Sequence, residues 1–296
     1  MINYDIVMIG HITKDTIIIS GKEKLAVGGA VYYSSIAAAR SGKRVLVVTR
    51  AAWEDENLFS EMVDNGIDFV NLGAPVTTSM ECRYNTADME RRKITCTAVA
   101  PSYTIEQIPD VNAPIYHLAG LVRGEIPSSL IYQLASRGRI ALDVQSILRC
   151  NENGELIFRD WEDQNKYLSY ISYLKTDAAE AEIMTGETNR EIAAKMLYSW
   201  GAKEVLITHN TGVLVFNGKE FLKKPFNSSN LSGRTGRGDT CFAAYLAWRL
   251  SHEIEESIDY AASLTSIKME IPGAFKGSIQ DVLSRSNSNV VFQNNL

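Results

Sequence analysis

The sequence contains few cysteines, few histidines and no long hydrophobic run. Its four cysteines (Cys82, Cys96, Cys150 and Cys241) have no CxxC spacing, so neither a zinc site nor a disulfide framework is expected. The four histidines are scattered, which argues against a metal site built from protein ligands alone. No apolar stretch approaches the roughly 20 residues that a membrane-spanning helix requires.

The chain also lacks an excess of basic residues. It has 30 Lys and Arg against 35 Asp and Glu, a formal net charge of −5, and no dense basic run that would attract nucleic acid. The segment Met1–Asp5 lacks the basic and apolar regions of a signal peptide. We therefore expect a reduced, cytoplasmic protein with a small-molecule partner, and we expect neither nucleic acid nor a membrane as a partner.

Short β-branched runs alternate with longer amphipathic segments along most of the chain. Tyr4–Ile9, Ile140–Val144 and Glu204–Thr208 have the pattern of buried strands, and Ala30–Ser41 has that of a helix. This alternation favours a doubly wound α/β fold, in which helices cover both faces of a mostly parallel sheet. We expect a single domain that spans residues 1–296.

Two stretches break this alternation and predict hairpins with no helix between their strands. The strand pairs are Thr16–Ser20 with Lys24–Gly28, and Ser79–Asn85 with Arg92–Ala98, the latter joined by a polar turn at residues 86–90. Strands inserted in this way, within about residues 12–28 and 76–100, indicate a small sheet that projects from the main body and serves as a lid. A plain surface hairpin or a dimer contact through exposed strand edges explains the pattern as well.

The segment with the most informative chemistry is Thr235-Gly236-Arg237-Gly238-Asp239-Thr240, which precedes a long helical pattern. Two glycines one residue apart let the backbone turn tightly, so that successive N–H groups converge beside a helix N-terminus and bind an anion. A carboxylate at the start of that helix, Asp239, is placed to accept the proton of a hydroxyl that attacks a phosphoryl group. An N-cap after a tight turn explains the motif equally well. The segment matches neither a Walker A loop nor a dinucleotide fingerprint.

A second glycine motif, Gly28-Gly29, opens the first long helix. A glycine pair lets a ligand approach the backbone closely, and the helix start behind it presents hydrogen-bond donors. A plain strand-to-helix turn explains the pair as well.

Together the two glycine motifs resemble the two signatures of the ribokinase, or PfkB, family of carbohydrate kinases. The resemblance extends over almost the whole chain, because the lid hairpins, the early glycine pair and the late GxGD helix follow a similar order. It implies a ribokinase-like α/β domain with a small β-sheet lid over the sugar site. It also implies transfer of the γ-phosphoryl group of ATP, with Mg²⁺, to a hydroxyl group of a small alcohol.

The resemblance also implies roles for individual residues. Asp239 matches the catalytic base, and the anion hole that stabilises the transferred group is matched by Gly236, Arg237 and Gly238. Residues similar to the family's substrate contacts are Asp15, Gly28, Gly29, Tyr33 and Gln145. Residues similar to its ATP contacts are Asp177, Glu180, Thr208, Thr235, Gly236 and Gly238, with Glu180 ordering Mg²⁺ through water.

Four of these or neighbouring positions depart from the family pattern. Tyr33 stands where many members have asparagine, which predicts a reshaped substrate site, and Asp177 replaces the asparagine of an Asn-x-x-Glu element. Gly233 stands where many members have an aspartate that is linked to a monovalent cation, so activation by potassium is not expected. Arg237 replaces a common alanine, and we expect it to reach a phosphate.

The sequence leaves the acceptor open among sugars, polyols and nucleosides. The segment Leu142–Gln145, together with Tyr32-Tyr33, is most similar to the branch of the family that contains myo-inositol kinases. A nucleoside kinase needs an aromatic platform, for which Tyr32, Tyr33 and Tyr84 are candidates, although packing in the core or the lid explains them more simply. A non-catalytic ligand-binding protein on the same fold is a further alternative, against which the base beside the anion hole argues.

Overall fold

Two β-sheets and ten α-helices make up the chain in the computed structural model, which describes residues 3–84 and 92–293. In chain order, the strands are β1 (Ile6–Ile9), β2 (Thr13–Ile19), β3 (Lys22–Gly28), β4 (Val45–Thr49), β5 (Asp68–Asn71), β6 (Ser79–Tyr84), β7 (Arg92–Ala98), β8 (Ile115–Leu118), β9 (Arg139–Asp143), β10 (Arg149–Glu152), β11 (Glu155–Phe158), β12 (Ile171–Asp177), β13 (Glu204–His209), β14 (Gly212–Phe216) and β15 (Phe221–Pro225). The helices are α1 (Ala30–Arg40), α2 (Ser60–Asp64), α3 (Ser129–Ala135), α4 (Gln145–Leu148), α5 (Gln164–Tyr167), α6 (Ala178–Thr185), α7 (Arg190–Ser199), α8 (Arg237–Arg249), α9 (Ile254–Met269) and α10 (Ile279–Gln293).

The larger sheet is mostly parallel, in the order β15-β14-β13-β12-β9-β8-β1-β4-β5. Only the pairs β13–β14 and β14–β15 are antiparallel among its described strands. Alternate residues of a strand point to opposite faces of a sheet. In β1, Ile6 and Met8 pack in a core with α1 and α8, whereas Val7 and Ile9 pack in a second core with α3 and α7. Helices therefore cover both faces, which confirms the doubly wound fold class.

The smaller sheet contains the two hairpins that the sequence predicts and a third that it does not. Its order is β10-β11-β7-β6-β2-β3. The first hairpin turns at Ser20-Gly21, both with positive φ, and β3 therefore begins at Lys22, earlier than expected. β2 also begins earlier than expected, at Thr13. The turn that the sequence predicts at residues 86–90 lies outside the described residues. A lid-to-lid dimer contact stays a prediction.

The third hairpin, β10–β11, turns at Asn153-Gly154 and joins β7 through the pair Glu155–Thr95. Its strands have four residues each, and several of their side chains are charged or exposed. The hydrophobic alternation is therefore too short to predict a strand, although Asn-Gly is a typical hairpin turn. This hairpin matters because Arg149, at its start, reaches the site described below.

The sequence predicts neither a membrane-spanning helix nor a disulfide framework. No helix in residues 3–84 and 92–293 is long and apolar enough to cross a membrane. The four cysteines are all free and buried, so Cys82 and Cys96 form no disulfide. In the lid sheet Cys82 pairs with Ile94, and Cys96 pairs with Met80 instead.

Candidate active site

Two adjoining cavities lie between the carboxyl ends of the central strands, the start of α8 and the smaller sheet. The first, which we call the anion cleft, is lined by Gln145, Arg149, Lys175, Asp177, Glu180, Thr208, Asn210 and Arg234–Asp239. The second, which we call the inner pocket, is lined by Thr13, Asp15, Gly29, Tyr33, Met80, Cys82, Ile94, Leu121, Gln145, Arg149, Thr235, Gly236 and Asp239. Five residues line both cavities, and Asp239 is among them. Asp239 therefore lies where the two cavities join.

The parallel sheet explains why distant segments meet here. Asp177 at the end of β12 is the register partner of Thr208 near the end of β13, and Lys175 is the partner of Asp143 at the end of β9. The carboxyl ends of parallel strands lie along one edge of a sheet, where α/β proteins bind ligands. Gln145 follows β9 directly and completes this row.

The start of α8 forms one end of the anion cleft. Gly236 is its N-cap with φ 77°, and a Cβ atom there would clash with the ring of Tyr33, so both conformation and space require glycine. The N–H of Arg237 donates to Arg234 O at 3.1 Å. The Arg237 amide is therefore engaged in a turn, and the first-turn amides of Gly238 and Asp239 remain to bind an anion.

The carboxylate of Asp239 is half-buried and lies among cations. Gln145 Nε2 donates to Asp239 Oδ1 at 3.4 Å. Burial raises the pKa of Asp239, and the positive charges of Lys175, Arg149 and Lys268 oppose that rise. A carboxylate whose pKa moves towards neutrality holds a proton more readily than an exposed one, as a general base requires.

Lys175 is a site residue that the sequence analysis missed. Its Nζ lies 2.9 Å from Asp143 Oδ2 and 3.7 Å from Glu180 Oε2. A Cβ atom added to Gly238 would lie 3.2 Å from this ammonium, so the charge sits against the first turn of α8. Burial opposes the charge, but the surrounding carboxylates, led by Asp143, raise the pKa of Lys175. Lys175 therefore stays protonated beside the first turn of α8.

Asp177 and Glu180 line the cleft and also cap α6. The N–H of Asp177 donates to Glu180 Oε2 at 2.7 Å, and the N–H of Glu180 donates to Asp177 Oδ1 at 2.8 Å. This is a capping box, which satisfies two backbone donors reciprocally. Burial raises the pKa of Glu180 to about 7, and the Lys175 ammonium opposes that rise.

The donor set of the cleft fits magnesium only in company with a phosphate. No group of three or more His, Cys, Asp or Glu side chains in the described ranges could hold a metal ion. Mg²⁺ is commonly held by one or two carboxylates, several waters and the phosphates of a substrate. Asp177 and Glu180 supply such a pair at the cleft wall.

The inner pocket has a polar floor and an apolar lid. Asp15 and Thr13 rise from β2, and Thr13 Oγ1 is buried without a hydrogen-bond partner among the described residues. Gly28 lies so close to these two residues that a Cβ atom there would clash with Asp15 Oδ2. The apolar wall comes from the lid strands, with Met80 and Ile94. The pocket encloses about 110 Å³, less than the roughly 300 Å³ at the lower end of sites for drug-sized ligands.

The structure brings nearly all the predicted site residues to one of the two cavities. Gly28 is the exception: it lines neither and instead contacts the side chain of Asp15. Of the three tyrosines considered as an aromatic platform, Tyr33 lines the inner pocket. Tyr32 donates its hydroxyl to Glu61, and Tyr84 is buried in the lid sheet away from both linings. Lining residues that the sequence analysis did not single out include Thr13, Lys175, Arg234, Met80, Ile94 and Leu121.

Comparison of the chain with known proteins finds similarity to one protein family and to several of its members. The model of the pfkB family of carbohydrate kinases matches residues 2–280. A pyrophosphate-dependent kinase in the ribokinase family, solved as a sulfate complex, is 37% identical with a TM-score of 0.88, and the match covers 94% of this chain and 99% of that one. A pyrophosphate-dependent kinase of the same family, solved with a pyrophosphate analogue and myo-inositol, is 36% identical with a TM-score of 0.87 over 94% and 99% of the two chains. A cytidine kinase from Thermococcus kodakarensis is 25% identical over 251 residues, 82% of this chain and 87% of that protein.

Proposed function

Since this chain belongs to the pfkB family of carbohydrate kinases, we propose that it transfers a phosphoryl group from pyrophosphate to a hydroxyl group of a small cyclic polyol. The observation that carries the proposal is the position of Asp239, which lines both the anion cleft and the inner pocket. A base at this junction can take a proton from a hydroxyl in one cavity while a phosphoryl group lies in the other.

The chemistry follows from the groups around that junction. The acceptor lies in the inner pocket, with Asp15 and Thr13 as hydrogen-bond partners for its other hydroxyls. Asp239 accepts the proton of the attacking hydroxyl, and Gln145 holds the carboxylate in place. The amides at the start of α8 and the Lys175 ammonium stabilise negative charge on the transferred group. Magnesium, when bound with the donor, supplies neutralising charge to the phosphate oxygens.

The lining of the anion cleft favours a donor without a nucleobase. No aliphatic or aromatic side chain is among its described lining residues, whereas Arg149, Lys175, Arg234 and Arg237 are four basic ones. A purine is ordinarily bound against apolar surface, and an inorganic phosphate donor requires none. Three solved relatives at 36–37% identity are described as pyrophosphate-dependent kinases, which supports the same choice. ATP, which the resemblance implied, is the alternative donor.

The inner pocket favours a single small ring as the acceptor. Its size and its polar floor suit a polyol, and one solved relative holds myo-inositol. A nucleoside is the second candidate, because a cytidine kinase is among the relatives. One tyrosine, Tyr33, remains as the platform for a base, and its ring already packs against Gly236 and Tyr32. We therefore rank a polyol above a nucleoside.

A donor-by-acceptor assay tests the proposal. Pyrophosphate and ATP, each with Mg²⁺, are combined with myo-inositol, ribose, fructose and cytidine, and phosphorylated products are separated and quantified. We expect product from pyrophosphate and myo-inositol or another cyclic polyol, and at least about 100-fold slower formation from the same mixture with Asp239→Asn. Turnover with ATP but not with pyrophosphate would contradict the donor assignment, and cytidine as the best acceptor would contradict the polyol assignment.

A further inference from the structure

A buried lysine outside both cavities contacts the loop that leads into the anion-binding end of α8. Lys268 lies in the last turn of α9, and 2% of its surface is exposed. Its Nζ donates hydrogen bonds to the backbone carbonyls of Gly233 and Thr235. Thr235 directly precedes Gly236, the N-cap of α8. The ammonium therefore acts on the backbone immediately before the amides that bind the transferred group.

The same ammonium links this loop to the wall of the inner pocket. Lys268 Nζ lies 5.0 Å from the centroid of the Tyr33 ring, within the range of a cation–π interaction. That ring packs directly against Gly236. The Lys268 ammonium thus contacts two backbone oxygens of the loop and also the Tyr33 ring, which packs against Gly236 at the end of the loop.

The loop is otherwise packed on the end of α9 by backbone contacts. The N–H of Gly233 donates to Met269 O at 2.7 Å. A Cβ atom at Gly233 would clash with the carbonyl of Ile271. The loop is thus held against the backbone at the end of α9. The carbonyls of Gly233 and Thr235 both point at Lys268 Nζ, and such like-oriented dipoles repel one another unless a cation lies between them.

A buried ammonium is costly unless its surroundings replace water. Backbone carbonyls and an aromatic face do so here. Backbone carbonyls arranged around a cation are also the ligands that replace the hydration shell of potassium in selective pores. The chemistry of this site is thus that of a monovalent-cation site whose cation is attached to the chain.

We propose that Lys268 is a positioning residue that supplies a permanent, tethered monovalent cation to the 233–235 loop and thereby orients the amides at the start of α8. This inference rests on the proposed phosphoryl transfer, because its effect on rate is an effect on that reaction. It has two consequences: the protein needs no added potassium or ammonium, and removing the Lys268 charge leaves a site that a free cation can fill.

Two variants separate the charge from the space that the side chain fills. Lys268→Ala removes the ammonium and leaves a cavity next to the two carbonyls. Lys268→Met, the matched control, removes the charge but fills the cavity with an apolar chain. We expect kcat of both variants to fall by about 100-fold, as a small misplacement of catalytic groups produces, with the acceptor KM little changed. Ammonium, potassium or propylammonium should restore about tenfold to Lys268→Ala and nothing to Lys268→Met.

The wild-type protein provides an arm that does not depend on any variant folding. We expect its rate to be the same in sodium, potassium and tetramethylammonium buffers of equal ionic strength. A requirement of the wild type for potassium or ammonium would overturn the inference. So would wild-type kcat in Lys268→Ala, or a folded Lys268→Ala that no cation rescues.

A crystallographic arm is independent of catalysis. Crystals of Lys268→Ala soaked in thallium(I) should show an anomalous peak between Gly233 O and Thr235 O, and wild-type crystals should show none there. Lack of the peak in the variant would overturn the inference. A peak in the variant together with a wild type that is inactive on every donor and acceptor would instead contradict the proposed function and leave the tethered cation standing.

Discussion

Replacing Asp239 by asparagine should abolish most of the activity without weakening the fold. Asparagine has the shape of aspartate, and its side-chain oxygen can still accept the hydrogen bond from Gln145 Nε2, which lies 3.4 Å from Oδ1. It cannot take a proton from the acceptor hydroxyl. The variant therefore removes the base and keeps the contacts, which makes it a sharper probe than Asp239→Ala.

The expected loss of rate follows from the role of the residue. A positioned general base contributes about 10²- to 10⁴-fold, which corresponds to about 3–5 kcal/mol in the activation free energy. The same substitution should not reduce the stability of the fold. Burial raises the pKa of Asp239, so its ionised form is disfavoured in the folded protein, and a neutral amide in its place should leave the melting temperature unchanged or higher.

The assay compares kcat and melting temperature for the wild type, Asp239→Asn and a control. The control is Asp281→Asn, the same substitution in the first turn of another helix, α10, where the aspartate accepts hydrogen bonds from Ser278 at the helix start. We expect the control to keep wild-type kcat and to lose a little stability. Wild-type turnover by Asp239→Asn would refute its role as the base, and so would a loss of rate that merely followed a lower melting temperature.

Three further substitutions test other parts of the site. Gly28→Ala places a methyl group against Asp15 Oδ2, so steady-state kinetics should show the acceptor KM raised about tenfold, as expected for a displaced charged hydrogen-bond partner, and an unchanged KM would argue against Asp15 as an acceptor ligand. The folded pKa of Glu180 is raised to about 7, so the stability that its protonation provides is present below its unfolded pKa and is lost as the pH rises through about 7. Glu180→Gln should therefore gain up to about 3 kcal/mol over the wild type at alkaline pH and little at acid pH; thermal denaturation across that range checks this, and an equal gain at both ends would contradict the pKa assignment. Lys175→Met leaves the carboxylates of Asp143 and Glu180 buried without their cation, so urea denaturation should show a loss of about 3–5 kcal/mol, and a loss below about 1 kcal/mol would show that the cluster does not depend on this charge.

Local motifs made part of the site predictable. Gly236, Gly238 and Asp239 are adjacent in the chain, and the backbone geometry that binds an anion is built into the order of those residues. The doubly wound fold was predictable because buried strands and amphipathic helices alternate with clear periods. The catalytic role of Asp239 itself stays a prediction until it is measured.

Contacts between distant segments set the rest of the site, and no local pattern reveals them. Lys175 stands in a buried strand between Leu174 and Thr176, and its partner Asp143 comes from a neighbouring strand 32 residues earlier. Arg149 reaches both cavities through a hairpin too short to show a strand period. Lys268 is an ordinary basic residue near a helix end in the sequence, and only the packed loop gives it two carbonyl partners.

The phosphoryl donor, likewise, is only partly predictable from local motifs. Glycines before a helix bind phosphate groups whatever is attached to them, so the motif could not distinguish ATP from pyrophosphate. The distinction depends on which side chains line the remainder of the cleft, and those residues come from β12, β13 and the loop before α8 as well as from the motif.

The most direct test of phosphoryl transfer from pyrophosphate to a polyol is a phosphorus-31 NMR time course of the wild-type protein with Mg²⁺, pyrophosphate and myo-inositol. We predict that one phosphate monoester appears for each orthophosphate released, as direct transfer to a hydroxyl requires. Release of two orthophosphates per pyrophosphate with no ester would show hydrolysis instead of transfer. A spectrum without change, while the same sample forms an ester from ATP, would contradict the donor assignment.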